Sequence, residues 1–257
     1  MALDEAIAAA VRKDNSPPTL RLYGWPLPSV SLGAFQSIVD IDAGYCAEHD
    51  IQVVRRPTGG RGILHGEEIT YSFSAVNEGL FSQGLLESYR HLSSAFSLAL
   101  QKMGLTVTMK DRRDKGRPIA RSPLCFQSTS YGELTIKGKK LIGSAQKRWD
   151  NGFLQQGSMP FTIDCALLAS VFKNVVPSPD FAGLKDMIHN FDCEEFKKYL
   201  VDAFETFFGI SLLQARPSDQ EVEEAHILCA EKYRNPVWTT GALRDTRLCN
   251  NGIWRRA

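Results

Sequence analysis

The stretch 53-VVRRPTGGRGILHGEEITYSFSA-75 holds the densest set of chemically informative residues in the chain. Its first part completes a predicted strand over 51–55, and its last part alternates apolar and polar residues, which predicts another strand over 69–75. Between the two, the Pro-Thr-Gly-Gly run marks a loop over 57–62. The stretch therefore predicts two strands joined through a glycine-rich loop.

This loop has the composition of a ligand-binding turn. Glycine has no Cβ atom, so Gly59, Gly60 and Gly62 allow positive φ angles and a close approach of the backbone to a ligand. Exposed amide groups in such a turn form a nest that binds an anion or an oxyanion. The basic and titratable side chains around it, which favour a bound ligand, are Arg55, Arg56 and His65. A hairpin loop whose glycines only satisfy backbone geometry is the alternative.

Hydrophobic periodicity outlines the rest of the fold. The predicted helices span 3–13, 42–49, 85–103, 163–172, 194–208 and 218–232. Further predicted strands cover 20–23, 29–34, 105–109, 133–136, 139–147 and 152–159, with a turn at 137–138. Short strands that alternate irregularly with helices predict an α+β (α/β) fold, in which helices flank a mixed, mostly antiparallel sheet. We expect one domain over 1–240 and a C-terminal tail without clear periodicity over 241–257.

Composition excludes several classes of function. The 257 residues carry a net charge of +1, so the chain lacks the strongly basic balance of a dedicated nucleic-acid binder. No apolar run approaches the ~20 residues of a membrane helix, and the N-terminal segment lacks the basic region and the cleavage site of a signal peptide. Six scattered cysteines suggest free thiols in a reducing, cytoplasmic compartment. Since metal-binding and dinucleotide-binding motifs are absent, we expect neither a metal nor a cofactor.

A second stretch, 123-PLCFQSTSYGELTIKGKKLIGSAQKR-148, combines a cysteine with a nearby lysine. Cys125 precedes the predicted hairpin, in a position open to substrate. Lys140 follows the turn, and on a continuous strand it would share a face with Ile142 and Ser144. An ammonium group near a thiol stabilises the thiolate, which is the nucleophilic form. The pair therefore predicts acyl transfer through a thioester on the enzyme, with the glycine-rich loop around the acyl carbonyl.

These residues also have structural alternatives. A cysteine is more often a small buried hydrophobic residue than a nucleophile. That interpretation is kept for the cysteines on predicted helices, which are Cys46, Cys165, Cys193 and Cys229. Lys140 could be a solvated turn lysine, as Lys137 and Lys139 are expected to be.

Three separated motifs follow one another along the chain. They are RRPTGGRGILH followed by E-x-T-Y-S, then C-F-x-S-x-S-x-x-E, then GKK-x-x-GSAQKR. In this order they resemble the lipoate-protein ligase and octanoyltransferase superfamily, and most closely the octanoyltransferases that load the glycine cleavage H protein. The similarity runs from MALDEA at the N-terminus to AEKY at 230–233. It implies the biotin/lipoate protein ligase catalytic domain, built on a mixed sheet.

The resemblance also implies an activity. Such octanoyltransferases pass octanoate from acyl carrier protein to a lysine of a lipoyl domain, in lipoate biosynthesis and without ATP. Cys125 falls on the acyl-thioester cysteine, and Lys140 falls on the lysine that lowers the pKa of that thiol. The predicted substrate-binding residues are Arg55, Arg56, Thr58, Gly59, Gly60, Arg61, His65, Gly143 and Ser144. The segment 110–121, whose six basic and two acidic residues leave a net charge of +4, is expected to steer an acidic carrier protein or lipoyl domain, unless it is only a solvated loop.

Other functions stay open. An ATP-dependent lipoate-protein ligase would activate free lipoate as an adenylate and would need no cysteine. An octanoyl amidotransferase would move octanoate between lipoyl domains, and a non-catalytic homologue would only bind an acyl chain or a lipoyl domain. The sequence departs from the family pattern in the strand expected before Met1, at Gly66, where an aspartate is common, and at Gln156, where LQHGS is usual.

Overall fold

The computed structural model describes residues 1–110, 132–175 and 182–241. The helices in these ranges are α1 (Ala2–Arg12), α2 (Ala43–Glu48), α3 (Leu85–Lys102), α4 (Cys165–Val171), α5 (Leu184–Met187), α6 (Cys193–Phe208), α7 (Asp219–Leu228) and α8 (Pro236–Thr240). The strands are β1 (Thr19–Tyr23), β2 (Ser29–Leu32), β3 (Gln52–Arg55), β4 (Ile63–His65), β5 (Glu68–Ala75), β6 (Thr108–Met109), β7 (Leu134–Ile136), β8 (Lys139–Lys140), β9 (Gly143–Trp149) and β10 (Gly152–Pro160). Short 3-10 helices cover Ile38–Asp40 and Gly79–Phe81, and a π-helical turn, Cys229–Tyr233, follows α7.

The largest sheet has the strand order β1-β5-β10-β9, and each neighbouring pair is antiparallel. β5 and β10 are buried along their whole length, because they occupy the middle of the sheet and have helices packed against them. This pair of central strands forms the rigid base on which the candidate site is built.

Two smaller sheets complete the described strands. β2 lies between β3 and β4, parallel to β3 and antiparallel to β4, so this sheet is mixed. β7 and β8 form a hairpin, and β6 pairs with β7 on the other side. Lys137 and Gly138 in the hairpin turn have φ angles of 48° and 79°, the type I′ pattern whose twist matches that of the flanking strands.

Aromatic side chains dominate the main hydrophobic core. Phe96 of α3 contacts Tyr71 of β5 at a ring distance of 4.4 Å and Phe204 of α6 at 5.2 Å. Full burial of such a side chain contributes about 1.5–3 kcal/mol. Successive strand residues point to opposite faces, so Ser72 faces away from this core, towards α1, where it bonds to Asp4. Helices therefore cover the large sheet on both sides.

The observed fold confirms the predicted α+β class with helices flanking antiparallel strands. The sequence pattern predicts one sheet, whereas the described strands divide among three. The predicted continuous strand over 139–147 is wrong. Leu141 and Ile142 are both buried, which breaks the alternation and separates β8 from β9, strands of different sheets. Lys140 and Ser144 therefore do not share one strand face.

Three short elements were not predicted. β4 has three residues between the glycines at 62 and 66, α5 has four and α8 has five, so none of them is long enough to show a period. The helix predicted over 218–232 ends as an α-helix at Leu228. The predicted tail, 241–257, lies outside the described residues except for Gly241, so the boundaries of the domain stay a prediction.

Candidate active site

The glycine-rich loop between β3 and β4 folds around the side chain of Arg56. Its Nη1 donates to the carbonyl oxygen and the hydroxyl of Ser31, at 3.0 and 3.1 Å. Its Nη2 donates to the carbonyl oxygens of Gly59 and Arg61, at 2.8 and 2.7 Å. The guanidinium is buried, and a hydrogen bond to a charged group contributes about 1.5–3 kcal/mol. Arg56 therefore ties the loop to β2.

The backbone conformation and the surroundings differ among the three loop glycines. Gly60 has a φ of 83°, and a Cβ there would lie 2.9 Å from Arg56 Nη2. A Cβ on Gly62 would lie 2.4 Å from a ring carbon of Phe172, so Gly62 permits close packing. A Cβ on Gly59 would meet nothing within 4 Å. The prediction of positive φ is therefore right for Gly60 and wrong for Gly59 and Gly62.

A small cavity lies where this loop meets the large sheet. Its volume is about 10 Å³, close to the space that one water molecule needs. Three predicted site residues, Arg56, His65 and Ser144, line it. The other lining residues are Met1, Ser31, Ile63, Thr70, Ala145, Gln156 and Gly157. The fold thus brings two distant stretches of the sequence to one site.

A buried chain of hydrogen bonds runs along one wall of the cavity. His65 Nε2 lies 2.7 Å from Ser31 Oγ, and His65 Nδ1 lies 2.8 Å from Glu68 Oε1. Glu68 also accepts hydrogen bonds from the hydroxyls of Thr70 and Ser158. The ring of Trp25 stacks on that of His65, with 4.2 Å between their centroids. These contacts fix the position and the orientation of the imidazole.

A second buried network connects the loop to α1. Thr58 donates to Gln156 Oε1 at 3.1 Å, and Gln156 Nε2 donates to Asp4 at 2.7 Å. Asp4 also accepts hydrogen bonds from Arg21, at 2.6 Å, and from Tyr23, at 2.8 Å. Because Asp4 is fully buried, these donors replace the water that its carboxylate loses on folding. The position of Thr58 in the loop therefore depends on the start of the chain.

Arg55 points to a different place. Its guanidinium donates to the carbonyl oxygens of Gly33, at 2.7 Å, Gln36, at 2.6 Å, and Thr239, at 2.8 Å. In return, Trp238 Nε1 donates to the carbonyl oxygen of Arg55 at 2.8 Å. Arg55 does not line the cavity, and it fastens α8 to the end of β3.

Lys140 is buried, with 1% of its side chain exposed, so the alternative of a solvated turn lysine is wrong. Its Nζ lies 2.6 Å from Glu133 Oε1, and Glu133 is also buried. Lys137 is exposed, as predicted. Gly143, at the start of β9, is paired with Ser158 and does not line the cavity.

Cys125 lies outside the described residues, and so does the basic segment after Lys110. The proposed pairing of Cys125 with Lys140 therefore stays a prediction. Cys46 is buried, as expected, and burial raises the pKa of its thiol. Cys165, in contrast, is exposed at the first position of α4.

Within residues 1–110, 132–175 and 182–241, no group of three or more His, Cys, Asp or Glu side chains is arranged to hold a metal ion. None of the helices in the described part of the chain has the length and apolar character that a membrane-spanning segment needs.

Sequence reasoning missed most of the partners that hold the site. Glu68 and Glu133 each occupy the glutamate position of a quoted motif, so their motifs carried a usable signal. Asp4, Gln156 and Ser31 reach the site from other elements, and only the folded chain shows their contacts. Ser31, Glu68, Gln156 and Glu133 are direct hydrogen-bond partners of predicted site residues, and Asp4 is connected to them through Gln156.

Comparisons with known proteins show the family to which the chain belongs. Residues 1–205 match the family described as the lipoyl protein ligase A/B catalytic domain. An octanoyltransferase LipM of Carboxydothermus hydrogenoformans is 33% identical over 251 residues, which cover 93% of this chain and 92% of that protein. The LipM octanoyltransferase of Moorella thermoacetica is 40% identical over 175 residues, covering 67% of this chain and 64% of the relative.

The fold is shared with solved enzymes. A crystal structure of lipoate-protein ligase A bound with ATP superposes with a TM-score of 0.78 at 23% identity, covering 93% of this chain and 92% of that one. The family match over residues 1–205 and the shared fold thus define a catalytic domain of the lipoyl protein ligase class. The chain belongs to the lipoyl protein ligase A/B catalytic domain family. The expectation of an acyltransferase enzyme is confirmed by its curated relatives.

Proposed function

We propose that this protein moves an octanoyl group from the thioester of acyl carrier protein, through a thioester on Cys125, to a lysine of a lipoyl domain such as glycine cleavage H protein. This reaction is a step of lipoate biosynthesis. The names of the curated relatives support octanoyl transfer. The observation that carries the proposal at the level of residues is the burial of Lys140 in an ion pair, which fixes an ammonium group in the motif implied to activate the cysteine.

Cys125 supplies the nucleophile in this proposal. A free cysteine is only about a few per cent thiolate at neutral pH, and a nearby ammonium group raises that fraction. The motif that contains Cys125 ends at Glu133, the residue that holds Lys140. Ser144, four positions after Lys140, lines the cavity. These links along the chain favour a thiol, an ammonium group and the cavity within one site.

The reaction then has two halves. The Cys125 thiolate attacks the carbonyl carbon of the carrier-protein thioester, and the carrier thiol leaves. The amine of the acceptor lysine attacks the new thioester, and the Cys125 sulfur leaves as the amide forms. Backbone N–H groups of the loop at 58–62 are the candidates for stabilising the oxyanion in both halves. Exchange of one thioester for another is nearly isoenergetic and conversion to an amide is downhill, so no ATP is consumed.

Two further parts of the proposal concern the partner and the compartment. The basic segment 110–121 would attract an acidic carrier protein or lipoyl domain through complementary charge. We place the reaction in the cytoplasm, where thiols stay reduced. The four described cysteines are free, which is consistent with that compartment.

Intact-mass spectrometry after incubation with octanoyl-acyl carrier protein tests the proposal. The wild type should gain the mass of one octanoyl group, and the Cys125→Ala variant should gain none. The Cys165→Ala variant is the matched control, because Cys165 is exposed and is not among the residues that line the cavity. It should be acylated like the wild type.

Other outcomes identify the competing functions. Formation of an adenylate from lipoate and ATP, unaffected by Cys125→Ala, would support a ligase. Acylation only from an octanoylated lipoyl domain would support an amidotransferase. With neither an adduct nor an adenylate, the non-catalytic binding protein would be the better description.

A further inference from the structure

We propose that Trp238 is a positioning residue, through which α8 holds the glycine-rich loop in the conformation that the reaction uses. The indole Nε1 of Trp238 donates to the carbonyl oxygen of Arg55 at 2.8 Å. Arg55 is the last residue of β3, and the chain enters the loop directly after it. The consequence for acylation rests on the proposed function, whereas the hold of α8 on the loop does not.

The bond from Trp238 acts on the peptide unit that begins the loop. The carbonyl group of Arg55 and the N–H group of Arg56 belong to one planar unit and point in opposite directions. The oxygen accepts the bond from Trp238, and the N–H group donates to the carbonyl oxygen of Leu32 in β2 at 2.9 Å. The unit is therefore held from both sides, which fixes the direction in which the Arg56 side chain leaves the strand.

Arg56 passes this constraint on to the loop. Its Nη2 donates to the carbonyl oxygens of Gly59 and Arg61, at 2.8 and 2.7 Å. A side chain that donates to two carbonyl groups of a loop holds them in place only while its own backbone is fixed. Rotation of the peptide unit before Arg56 would displace both hydrogen bonds together. Trp238 therefore acts on the loop through Arg56.

The side chain of Arg55 fastens α8 in return. The last carbonyl groups of a helix have no partner within the helix. Arg55 supplies donors for them, from Nη2 to Thr239 O at 2.8 Å and from Nε to Trp238 O at 3.0 Å. Gly241 ends α8 with a φ of 77°, and a Cβ there would lie 3.3 Å from Arg55 Nη2. The end of β3 and α8 are thus joined by hydrogen bonds in both directions.

Contacts with α1 keep the ring of Trp238 in place. Lys232 Nζ lies 4.3 Å from the centroid of that ring, whose face attracts a cation. The same ammonium group donates to both carboxylate oxygens of Glu5 in α1, at 2.7 and 2.6 Å. Glu5 lies next to Asp4, the residue of α1 that supports the loop through the second buried network. The segment 232–241 therefore joins the two supports of the loop, β3 and α1.

This segment lies beyond the part of the chain that matches the family. The match ends at residue 205, whereas α8 begins at Pro236. The glycine-rich loop lies inside the matched residues. A segment outside the matched residues therefore contributes to the geometry of a loop inside them.

Trp238→Phe tests the hold of α8 on the loop, because it removes the indole N–H group and keeps an aromatic ring beside Lys232. Hydrogen–deuterium exchange measured by mass spectrometry should become faster in peptides that cover 55–62, by about two- to tenfold, the range for one hydrogen bond. Peptides from β5 and β10 should exchange as in the wild type. Trp149→Phe is the matched control, because that ring also lies against a cation, Arg12 at 4.1 Å, at the end of β9 away from the cavity.

The rate of acylation gives a second measurement. With octanoyl-acyl carrier protein as donor, the rate constant for adduct formation in Trp238→Phe should fall by about two- to tenfold. The final amount of adduct per enzyme should equal that of the wild type, because a displaced loop slows the reaction, whereas loss of folded protein lowers the final amount. Gly241→Ala, which displaces α8 from Arg55, should reproduce both effects.

The outcomes separate this inference from the proposed function. Unchanged exchange over 55–62 in both variants would overturn the hold of α8 on the loop, and so would equally faster exchange in β5 and β10, which indicates a general loss of stability. Faster loop exchange with an unchanged rate of acylation would overturn the positioning role of Trp238. Absence of any adduct in the wild type would overturn the proposed function and with it the effect on acylation, while the exchange result still decides the hold on the loop.

Discussion

Lys140 Nζ and Glu133 Oε1 lie 2.6 Å apart, with only 1% and 4% of their side chains exposed. The two residues belong to one hairpin region, Glu133 just before β7 and Lys140 at the end of β8. Burial makes each charge costly unless the other is present, so the pair fixes the ammonium group in one place. A fixed charge of this kind suits the activation of a neighbouring thiol better than a mobile surface lysine does.

Lys140→Met should strongly destabilise the fold. It removes the cation that lies 2.6 Å from the buried Glu133 carboxylate, and loss of one partner of a buried ion pair costs about 3–5 kcal/mol. The double variant with Glu133→Gln should recover most of that loss. Urea unfolding measures both free energies. Lys185→Met, in the exposed pair with Glu67 at 2.8 Å, is the control and should cost at most about 1 kcal/mol. Equal losses for the two lysine variants would contradict the importance of burial.

The reactivity of Cys125 should depend on the same lysine. In Lys140→Ala, alkylation of Cys125 by iodoacetamide should require a higher pH than in the wild type, because the thiolate loses a stabilising positive charge. Peptide mass spectrometry after short exposures gives the pH profile of each cysteine separately. Cys165 should alkylate identically in both proteins. Superimposable Cys125 profiles would remove Lys140 from the proposed activation.

Alanine should be tolerated differently at the two adjacent loop glycines. Gly60→Ala places a side chain at a φ of 83° and 2.9 Å from Arg56 Nη2, so it should cost at least roughly 1–2 kcal/mol and slow acylation. Gly59→Ala meets no atom within 4 Å and should change stability little. Urea unfolding and the rate of adduct formation check both variants. A larger effect at Gly59 would show that the loop has a different conformation.

The stability of the protein should depend on the ionisation of Asp4. Burial alone would raise the pKa of this carboxyl group, but the N-terminal ammonium, Arg21 and the hydrogen bonds from Tyr23 and Gln156 lower it further than burial raises it. A lowered pKa in the folded state means that ionised Asp4 stabilises the protein above the unfolded pKa of about 3.9, and that this contribution is lost as the pH falls through the folded pKa.

The measurement compares wild type with Asp4→Asn in urea, from neutral pH down to about pH 3. The difference in free energy of unfolding should be constant near neutral pH and should shrink below about pH 4. Asp50→Asn, at an exposed position, is the matched control. If the Asp4 difference instead grew on acidification, its carboxyl group would have a raised pKa.

Some of the candidate site residues could be selected from the sequence, but their orientation could not. The glycines and charges of the loop, with Lys140 and Ser144, stand in short motifs, so local composition was enough to select them. The orientation of Arg55 could not be predicted, because adjacent Arg55 and Arg56 have the same chemistry and opposite surroundings: one guanidinium binds α8 and the other binds the loop. Neither destination is visible in the local pattern.

Periodicity failed where elements are very short or where burial is two-sided. β4 and β8 have three and two residues, fewer than one cycle of a recognisable pattern. Consecutive burial of Leu141 and Ile142 reflects a change from one sheet to another, and a strand prediction assumes that one face stays exposed.

By itself, the sequence determined the fold class and the family. Helix and strand periodicity and linear motifs depend only on the order of residues along the chain, so they can be recognised without coordinates. Only the tertiary structure decided which motif residues meet. Ser31, His65 and Glu68 come from three strands and connect through side chains, and Asp4 reaches Gln156 across more than half of the chain. Hydrogen bonds and desolvation depend on distances of a few ångströms in space, which residue order does not specify.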